Sequence, residues 1–241
     1  MRSHHASTLK DADRGCTGRS LILIWQSPRT TKFHKVGQLD CLDGGKYTFT
    51  YLSEARKVKG FSPLVEFPEL NVSTTTTSLP YFFMNRVMNT KRPGYDKYLA
   101  WLGLSGFNPE SVPFESLIRT GGDRPTDSFH VVEKPHQHAD FVSRFFDTGV
   151  RYLTNPVEII GSLSDGSVLE LEREHDYVKN PDAVQILRRD GERIGYVPDW
   201  LCSDIASRLS SGQKVTAAAE QVNEEAPFHL QVLCRIEIRQ D

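Results

Sequence analysis

The C-terminal half of the chain consists of short runs of branched and aromatic residues, separated by residues that favour tight turns, and this pattern constrains the fold most strongly. Three of the runs alternate apolar and polar side chains, which predicts strands with one buried face and one solvent-exposed face. The Asp190-Gly191 pair predicts a hairpin that joins one run to Arg193–Tyr196. The runs are Arg144–Leu153, Val168–Glu172, Ala183–Leu187 and Val232–Ile238.

One helix is predicted among these strands, from about Asp199 to Leu209. Leu201, Ile205 and Leu209 recur at a spacing of four residues and therefore share one helix face, and Gly212 is placed to end the helix. Strands joined by tight turns, with one or two helices, predict a small β module. The fold class expected for the whole chain is α+β, because helical patterns dominate part of the first half.

Four motifs in this region resemble a HIRAN domain. The family is a small OB-like β-barrel whose characterised members hold the free 3′ hydroxyl end of single-stranded DNA. The resemblance runs from about Phe141 to the C-terminus and implies the same fold and the same class of ligand. The motifs are Gly149-Val150-Arg151-Tyr152, Arg173-Glu174-His175-Asp176, Asn180-Pro181-Asp182-Ala183-Val184 and Arg193-Ile194-Gly195-Tyr196-Val197-Pro198.

The resemblance also implies roles for individual residues. Arg151 matches an arginine that faces a phosphate, and Tyr152 matches an aromatic residue that stacks on the terminal base. Asn180 stands where the family usually has an aspartate that accepts the 3′ hydroxyl, and an amide oxygen accepts a weaker bond than a carboxylate. Lys179 replaces a family aromatic, and Tyr196 stands where the family has an aromatic or a histidine. These five residues are the candidate nucleic-acid site.

The same residues also have structural interpretations. Tyrosines on strands are often half-buried core residues whose hydroxyl contacts solvent, and this interpretation is open for Tyr152 and Tyr196. Arg151 is also compatible with a solvated strand position. Asn180 precedes Pro181, and Asn-Pro is a common start of a turn. The sequence leaves both interpretations open.

The first half of the chain changes from strand patterns to helix patterns at Pro80. Aromatic residues alternate in Tyr47–Tyr51 after the turn Asp43-Gly44-Gly45, which predicts a hairpin over Gly37–Tyr51. Leu21–Trp25 is an apolar run short enough for a buried strand. Helical spacing of large apolar residues follows. The predicted helices are Tyr81–Met88, Gly94–Leu104 and Phe114–Arg119, the last ending at Gly121-Gly122.

Residues 21–134 resemble the N-terminal subdomain of HipA-type toxin kinases. This resemblance implies an α+β lobe that docks a kinase or another protein partner, as a regulatory or antitoxin-like module would. The motifs that carry it are Gly37-Gln38-Leu39, Asp43-Gly44-Gly45, Tyr47-Thr48-Phe49, Phe67-Pro68, Phe82–Arg86, Leu102-Gly103-Leu104 and Gly121-Gly122.

No enzymatic activity is expected. After Lys134 the chain has no phosphate-binding loop, catalytic loop or metal-binding aspartate of a kinase. No nucleophile with a neighbouring base and no carboxylate pair can be justified from spacing elsewhere. No cofactor is expected either.

The stretch between the two halves, residues 135–140, reads as a linker between residues 21–134 and 141–241. His136, His138 and Asp140 are of types that bind zinc, but no second cluster supplies a fourth ligand, so no metal site is expected. Arg119–Arg124 is compatible with an anion cradle or with a surface turn, and the turn is favoured.

Composition predicts a protein of the cytoplasm. No apolar run reaches the roughly 20 residues that a membrane helix needs. Residues 1–20 are polar, lack the apolar core of a signal peptide and are expected to be a disordered extension. Cys16, Cys41, Cys202 and Cys234 show no paired spacing, so free thiols are expected.

Charge is distributed unevenly along the chain. Residues 1–139 hold 18 basic and 13 acidic side chains, whereas residues 140–241 hold 11 and 18. An acidic module is unsuited to gripping a long duplex, which favours contact with a DNA end, with help from Arg86, Lys91 and Arg92 in the first half. Two functions follow: a non-enzymatic protein that binds the 3′ end of single-stranded DNA, or a protein-interaction module.

Overall fold

The computed structural model describes residues 15–135, 141–175, 177 and 180–239. The protein is a mixed α+β structure, as predicted, and it divides into two compact units. One unit contains the described residues up to Tyr98 together with Leu104–Lys134. The other contains Leu99–Gly103 and the described residues from Pro135 onward.

The N-terminal unit is built on a five-stranded antiparallel sheet with the order β4-β3-β2-β1-β5. The strands are β1 (Ser20–Gln26), β2 (Phe33–Cys41), β3 (Tyr47–Tyr51), β4 (Thr74–Thr76) and β5 (Phe129–Glu133), and the helices are α1 (Tyr81–Met84), α2 (Tyr95–Trp101) and α3 (Val112–Thr120). Two helices of the described chain, α1 and α3, lie within this unit, and a third, α2, begins in it but has its last three residues in the other unit.

The predicted hairpin is confirmed by the pairing of β2 with β3. Buried and half-buried residues alternate along β3, and the buried ring of Phe49 stacks on Phe67 with 4.4 Å between centroids. A Cβ at Gly37 would lie 2.6 Å from Cζ of Phe49, so only glycine leaves room for this ring. The core of the sheet therefore depends on a glycine in the facing strand.

The predicted helices are present but shorter or shifted at their ends. α1 ends at Met84 instead of Met88, and α2 spans only Tyr95–Trp101. α3 begins at Val112 and ends where Gly121 adopts a left-handed φ of 67°. Strands β4 and β5 were not predicted.

The expectation that all four cysteines are free thiols is wrong for one pair. Cys16 and Cys41 form a disulfide across 25 positions of sequence, whereas Cys202 and Cys234 are free and buried. Backbone bonds explain the approach: Gly18 N donates to Cys41 O at 2.8 Å, and Cys41 N donates to Arg19 O at 2.9 Å. The segment before β1 is thus held against the end of β2, a non-local contact that residue spacing does not reveal.

The C-terminal unit is a curled six-stranded sheet with the order β6-β11-β10-β7-β8-β9, consistent with an OB-like barrel. Helix α5 matches the predicted helix, with Leu201 and Ile205 buried, whereas α4 and β10 were not predicted. The elements are β6 (Phe141–Phe146), α4 (Pro156–Gly161), β7 (Val168–Arg173), β8 (Val184–Arg188), β9 (Arg193–Tyr196), α5 (Asp199–Ser210), β10 (Lys214–Val222) and β11 (Val232–Arg239).

One bridge joins the two outer strands of this sheet. Thr148, just after β6, pairs with Tyr196 at the end of β9. Thr148 N donates to Tyr196 O at 2.9 Å, and Tyr196 N donates to Thr148 O at 2.8 Å. Because β6 and β9 are at opposite ends of the strand order, this bridge brings the edges of the curled sheet together.

The described residues include no helix with both the length and the apolar character that crossing a bilayer requires.

Candidate functional site

A single 3-10 turn over Val150–Tyr152 presents the first two candidate residues. Gly149 has a φ of 85°, a left-handed conformation that glycine adopts without strain, and it ends the extended chain after β6. Val150 is buried and anchors the turn, while Arg151 and Tyr152 are exposed. The prediction of one strand over Arg144–Leu153 is therefore wrong after Phe146, and Arg151 and Tyr152 do not lie on a strand.

Arg151 and Tyr152 contact each other. Cζ of Arg151 lies 4.7 Å from the centroid of the Tyr152 ring, and Nη2 donates to the phenol oxygen at 2.5 Å. The Tyr152 side chain is 76% exposed. The structure therefore places a cation and an aromatic surface side by side in solvent, and the interpretation of Tyr152 as a core residue does not apply.

Arg151 differs from most arginines of its unit in having no acidic partner among the residues that the structure describes. Within the described residues, no carboxylate oxygen lies within 4 Å of its guanidinium. Six other arginines of the unit each have such an oxygen: Arg144, Arg173, Arg188, Arg193, Arg235 and Arg239. The charge of Arg151 is thus available to an external anion.

Tyr196 is half-buried, and its ring is already in contact with other side chains. The Tyr177 ring lies at 5.5 Å with a tilt of 32°, and Cζ of Arg193 lies 5.0 Å from the Tyr196 centroid. Nη1 of Arg193 also donates to the phenol oxygen at 2.6 Å. Burial, reinforced by nearby Glu174, raises the pKa of Tyr196 to about 12. Tyr196 therefore carries a neutral phenol and offers less ring surface to a base than Tyr152 does.

Asn180 starts a turn, as its structural interpretation requires. Its Oδ1 accepts from Asp182 N at 3.0 Å, and its backbone oxygen accepts from Ala183 N at 3.0 Å. Its Nδ2 donates to Oδ1 of Asp199 at 2.8 Å. One lone pair of the amide oxygen remains for a ligand. Lys179, the neighbouring candidate, lies outside the described residues.

Backbone contacts bring three candidate segments together. The Thr148–Tyr196 bridge holds the start of the Gly149–Tyr152 turn against β9, and a Cβ on Gly149 would lie 3.2 Å from Cδ2 of Tyr196. Asn180 N donates to Tyr177 O at 3.2 Å, which connects the Asn180 turn to the residue that packs on Tyr196. The 3-10 turn, the end of β9 and the β7–β8 connection are therefore neighbours.

Tyr177 and Arg193 are residues of this neighbourhood that sequence reasoning did not select. Arg193 lies inside one of the motifs that suggested the family, and Tyr177 directly follows another, but the motif order does not tell which side chains meet. Arg193 precedes Tyr196 by three positions, and only the paired geometry of β8 and β9 shows that its guanidinium returns to the Tyr196 ring.

Asp147 lies buried next to the bridge and was also not selected. It is 1% exposed, and neither side-chain oxygen has a hydrogen-bond partner in the described part of the chain. A Cβ on Gly195 would lie 2.7 Å from its Oδ2, and the buried thiol of Cys234 is nearby. Burial raises the pKa of Asp147 well above its ordinary value. A lone aspartate after an apolar strand looks like the start of a loop, so the sequence carries no signal for its burial.

The basic residues suggested in the N-terminal half differ in their exposure to solvent. The Arg86 side chain is only 2% exposed; it pairs with Asp127 at 2.7 Å and donates to Gly122 O at 2.9 Å. Its guanidinium also lies 4.2 Å from the centroid of Phe82. These contacts commit the Arg86 side chain to the fold and argue against a role in DNA binding. Lys91 and Arg92 are exposed.

The turn interpretation of Arg119–Arg124 agrees with the structure. Gly121 and Gly122 have φ values of 67° and 58°, and Arg119 is buried beside Glu115. No group of three metal-binding side chains occurs in residues 15–135, 141–175, 177 and 180–239. His136, His138 and Asp140 lie outside these ranges.

No curated protein matches the sequence significantly. Solved structures with weak similarity to it include two crystal structures. A crystal structure of a Lactobacillus plantarum protein is 17% identical and covers 42% of this chain and 100% of its own, with a TM-score of 0.35. The crystal structure of the HIRAN domain of human HLTF is 13% identical and covers 43% of this chain and 81% of its own, with a TM-score of 0.34.

The resemblance of residues 21–134 to the HipA subdomain stays a prediction. For the C-terminal unit, the family model described as HIRAN domain matches residues 140–240, and this match supports a HIRAN domain in that part of the chain.

Proposed function

We propose that the C-terminal unit binds the 3′ end of single-stranded DNA and performs no chemistry on it. The HIRAN match over residues 140–240 implies a nucleic-acid partner. The observation that carries the finer proposal is the exposed Arg151–Tyr152 pair, in which an arginine with no acidic partner in the described part of the chain lies over an exposed phenol ring.

The pair has the two groups that a nucleotide requires. A guanidinium binds phosphate oxygens through charge-assisted hydrogen bonds, and an aromatic ring stacks on a base of any identity. One face of the Tyr152 ring is covered by Arg151, which leaves the other face for the base. Arg151 then contacts the phosphate that precedes this base.

The other candidates have secondary roles in this proposal. The remaining lone pair of the Asn180 amide accepts the 3′ hydroxyl, while the rest of the amide holds the turn. Tyr196 supports the Gly149 turn and borders the base. Lys179 is next to Asn180 in sequence, and in this proposal its ammonium group contacts a phosphate.

Charge favours recognition of an end over tracking along a strand. Residues 140–241 carry an excess of seven acidic side chains, 18 against 11 basic ones. Contact with many phosphates would be opposed by this charge, whereas contact with one or two needs only a local cation. Arg151 is such a cation.

Fluorescence anisotropy with short single strands that end in a 3′ hydroxyl or a 3′ phosphate tests the proposal. We expect tighter binding of the hydroxyl end, a shallow dependence on salt, and weaker binding by Arg151→Ala. Arg189→Ala is the matched control, because Arg189 is an exposed arginine of the same unit outside the site. Equal and weak affinity for both ends would contradict the proposal.

A second candidate function is protein docking by the N-terminal unit, the regulatory or antitoxin-like role. Val65 is 100% exposed and Tyr81 is 71% exposed. They are neighbours, because Glu66 accepts backbone hydrogen bonds from Tyr81 at 2.9 Å and Phe82 at 2.7 Å. Failure of end discrimination, together with loss of binding to a HipA-type kinase by Tyr81→Ser, would favour this role.

A further inference from the structure

Two segments of the N-terminal unit are rich in basic residues and nearly free of acidic ones. Residues 27–36 contain three basic and no acidic side chains, and residues 52–61 contain three basic residues and Glu54. Together the two segments have five more basic than acidic side chains, which equals the excess of residues 1–139 as a whole. We call the six cations the basic surface: Arg29, Lys32, Lys35, Arg56, Lys57 and Lys59.

The two segments are spatial neighbours. β2 packs against the 3-10 helix Ser53–Lys57, and Leu52 N donates to Val36 O at 2.9 Å. Trp25, which pairs with His34 in the β1–β2 register, packs on Phe61 with 5.6 Å between ring centroids. The segment that carries Lys57 and Lys59 is therefore held beside the hairpin that carries Lys32.

The hairpin that presents Arg29 and Lys32 is ordered by its own hydrogen bonds. Ser27 N donates to Lys32 O at 2.9 Å, and Thr31 N donates to Ser27 O at 2.8 Å. Thr31 has a φ of 58°, the one positive φ at a non-glycine position in the described ranges. The turn thus has a fixed backbone conformation that positions Arg29 and Lys32.

All six side chains of the basic surface are exposed. In the described part of the protein, Arg29, Lys32, Arg56 and Lys59 have no carboxylate within 4 Å, and Lys57 lies near Glu54. Buried or paired arginines are common elsewhere in this unit, as Arg19 and Arg86 show. Arg29, Lys32, Arg56 and Lys59 therefore keep their charge available for a partner in solution.

The chemistry of the surface favours a phosphate backbone over a membrane. A protein that binds a lipid surface usually inserts apolar side chains beside its cations. The large exposed apolar residues of the described chain all lie outside residues 27–36 and 52–61. Cations without an apolar anchor bind polyphosphates by releasing counterions.

We propose that the basic surface binds the sugar-phosphate backbone of nucleic acid, independently of sequence and of strand ends. This proposal rests on the proposed nucleic-acid function and adds a second contact to it, made by the N-terminal unit. The acidic C-terminal unit selects the end, and the basic surface supplies the electrostatic affinity that the C-terminal unit lacks.

The test uses the full chain and a single strand of about 30 nucleotides that ends in a 3′ phosphate. The blocked end removes the expected contribution of the Arg151–Tyr152 site. Binding is measured between about 50 and 200 mM salt for the wild type, for Arg56→Gln/Lys57→Gln/Lys59→Gln and for Arg29→Gln/Lys32→Gln. A matched control, Lys46→Gln/Lys134→Gln/Lys214→Gln, removes the same charge as the triple variant from exposed positions elsewhere.

We expect the triple variant to lose about tenfold or more in affinity at low salt and to reduce the salt slope by about 2, since each phosphate contact on a single strand contributes about 0.7. The double variant should reduce the slope by about 1.4. The control should keep the wild-type slope.

An unchanged slope in both basic-surface variants, or an equal change in the control, would overturn the proposal. So would binding of phosphatidylserine vesicles that depends on the basic surface, if the blocked strand is not bound. Binding that depends on the basic surface but shows no preference for a 3′ hydroxyl would support this proposal and refute end recognition. Failure of this proposal is therefore distinguishable from failure of the proposed function.

Discussion

The guanidinium of Arg151 lies over the ring of Tyr152, 4.7 Å from its centroid, and donates a 2.5 Å hydrogen bond to the phenol oxygen. The two side chains are adjacent in sequence, and an extended strand would direct them to opposite faces. The 3-10 turn after Gly149 brings them together instead. A preformed pair loses less conformational entropy on binding than two independent side chains would.

Tyr152→Ala should weaken binding of single strands with a 3′ hydroxyl by about 1–3 kcal/mol, because the stacking surface is removed. Tyr152→Phe should keep most of the affinity, since the ring remains. The melting temperature should not change in either variant, because the side chain is exposed. Anisotropy and thermal unfolding measure the two effects, and wild-type affinity in Tyr152→Ala would exclude stacking at this position.

Gly195→Ala should destabilise the C-terminal unit by about 1–3 kcal/mol. The added Cβ would lie 2.7 Å from Oδ2 of Asp147 and 2.8 Å from Thr148 O, so the bridge that joins the sheet edges must shift. Gly161→Ala is the control, because a Cβ there meets no atom within 4 Å. Chemical denaturation gives both values, and equal stability of the two variants would show that the bridge tolerates the shift.

Asp147→Asn should unfold with a higher free energy than the wild type, and this difference should grow as pH rises. Burial raises the pKa of Asp147 above the 3.8 of an ordinary aspartate, so the folded state binds the proton more tightly than the unfolded state. The wild type therefore loses stability as pH rises from about 3.8 toward the pKa of the folded state, and asparagine has no such loss.

The measurement for Asp147 is the difference in unfolding free energy between variant and wild type at about pH 4 and about pH 8. Comparing the two pH values removes the constant effect of exchanging hydroxyl for amide. A difference that does not grow with pH would mean that the carboxyl is not buried as described.

Arg86→Gln should destabilise the N-terminal unit by about 1–3 kcal/mol, because Gly122 O and Asp127 lose their charged donor. DNA affinity per folded molecule should stay unchanged, since the side chain is buried. Arg92→Gln, at an exposed position, should leave the melting temperature unaltered. A loss of DNA affinity without a loss of stability in Arg86→Gln would indicate that Arg86 takes part in DNA binding.

Cys16→Ser should lower the stability of the N-terminal unit by about 3 kcal/mol, the effect expected for a cross-link that closes a loop of this size. Cys41→Ser should have a similar effect, and the double variant should lose no more than either single variant. Denaturation with and without a reductant measures this. If the reductant does not lower the wild type to the level of the variants, the bond does not contribute to stability.

Local patterns in the sequence were sufficient to predict several elements. The alternation in Tyr47–Tyr51, the Asp190-Gly191 turn and the apolar spacing of Leu201 and Ile205 each arise within a few residues, because strand and helix periodicity reflects burial of one face. The α+β class followed from the order of such patterns. The HIRAN resemblance rests on motifs instead, and that resemblance selected Arg151 and Tyr152.

Only the tertiary structure decided which groups meet. The Cys16–Cys41 bond, the burial of Arg86 and the isolation of Asp147 depend on residues distant in sequence. Spacing along the chain carries no information about such contacts, since they are set by the register and curl of whole sheets. The sequence by itself therefore determined the order of the elements and the chemical types at the candidate site. Tertiary packing determined which of those side chains face solvent, because a side chain's exposure depends on everything that folds against it.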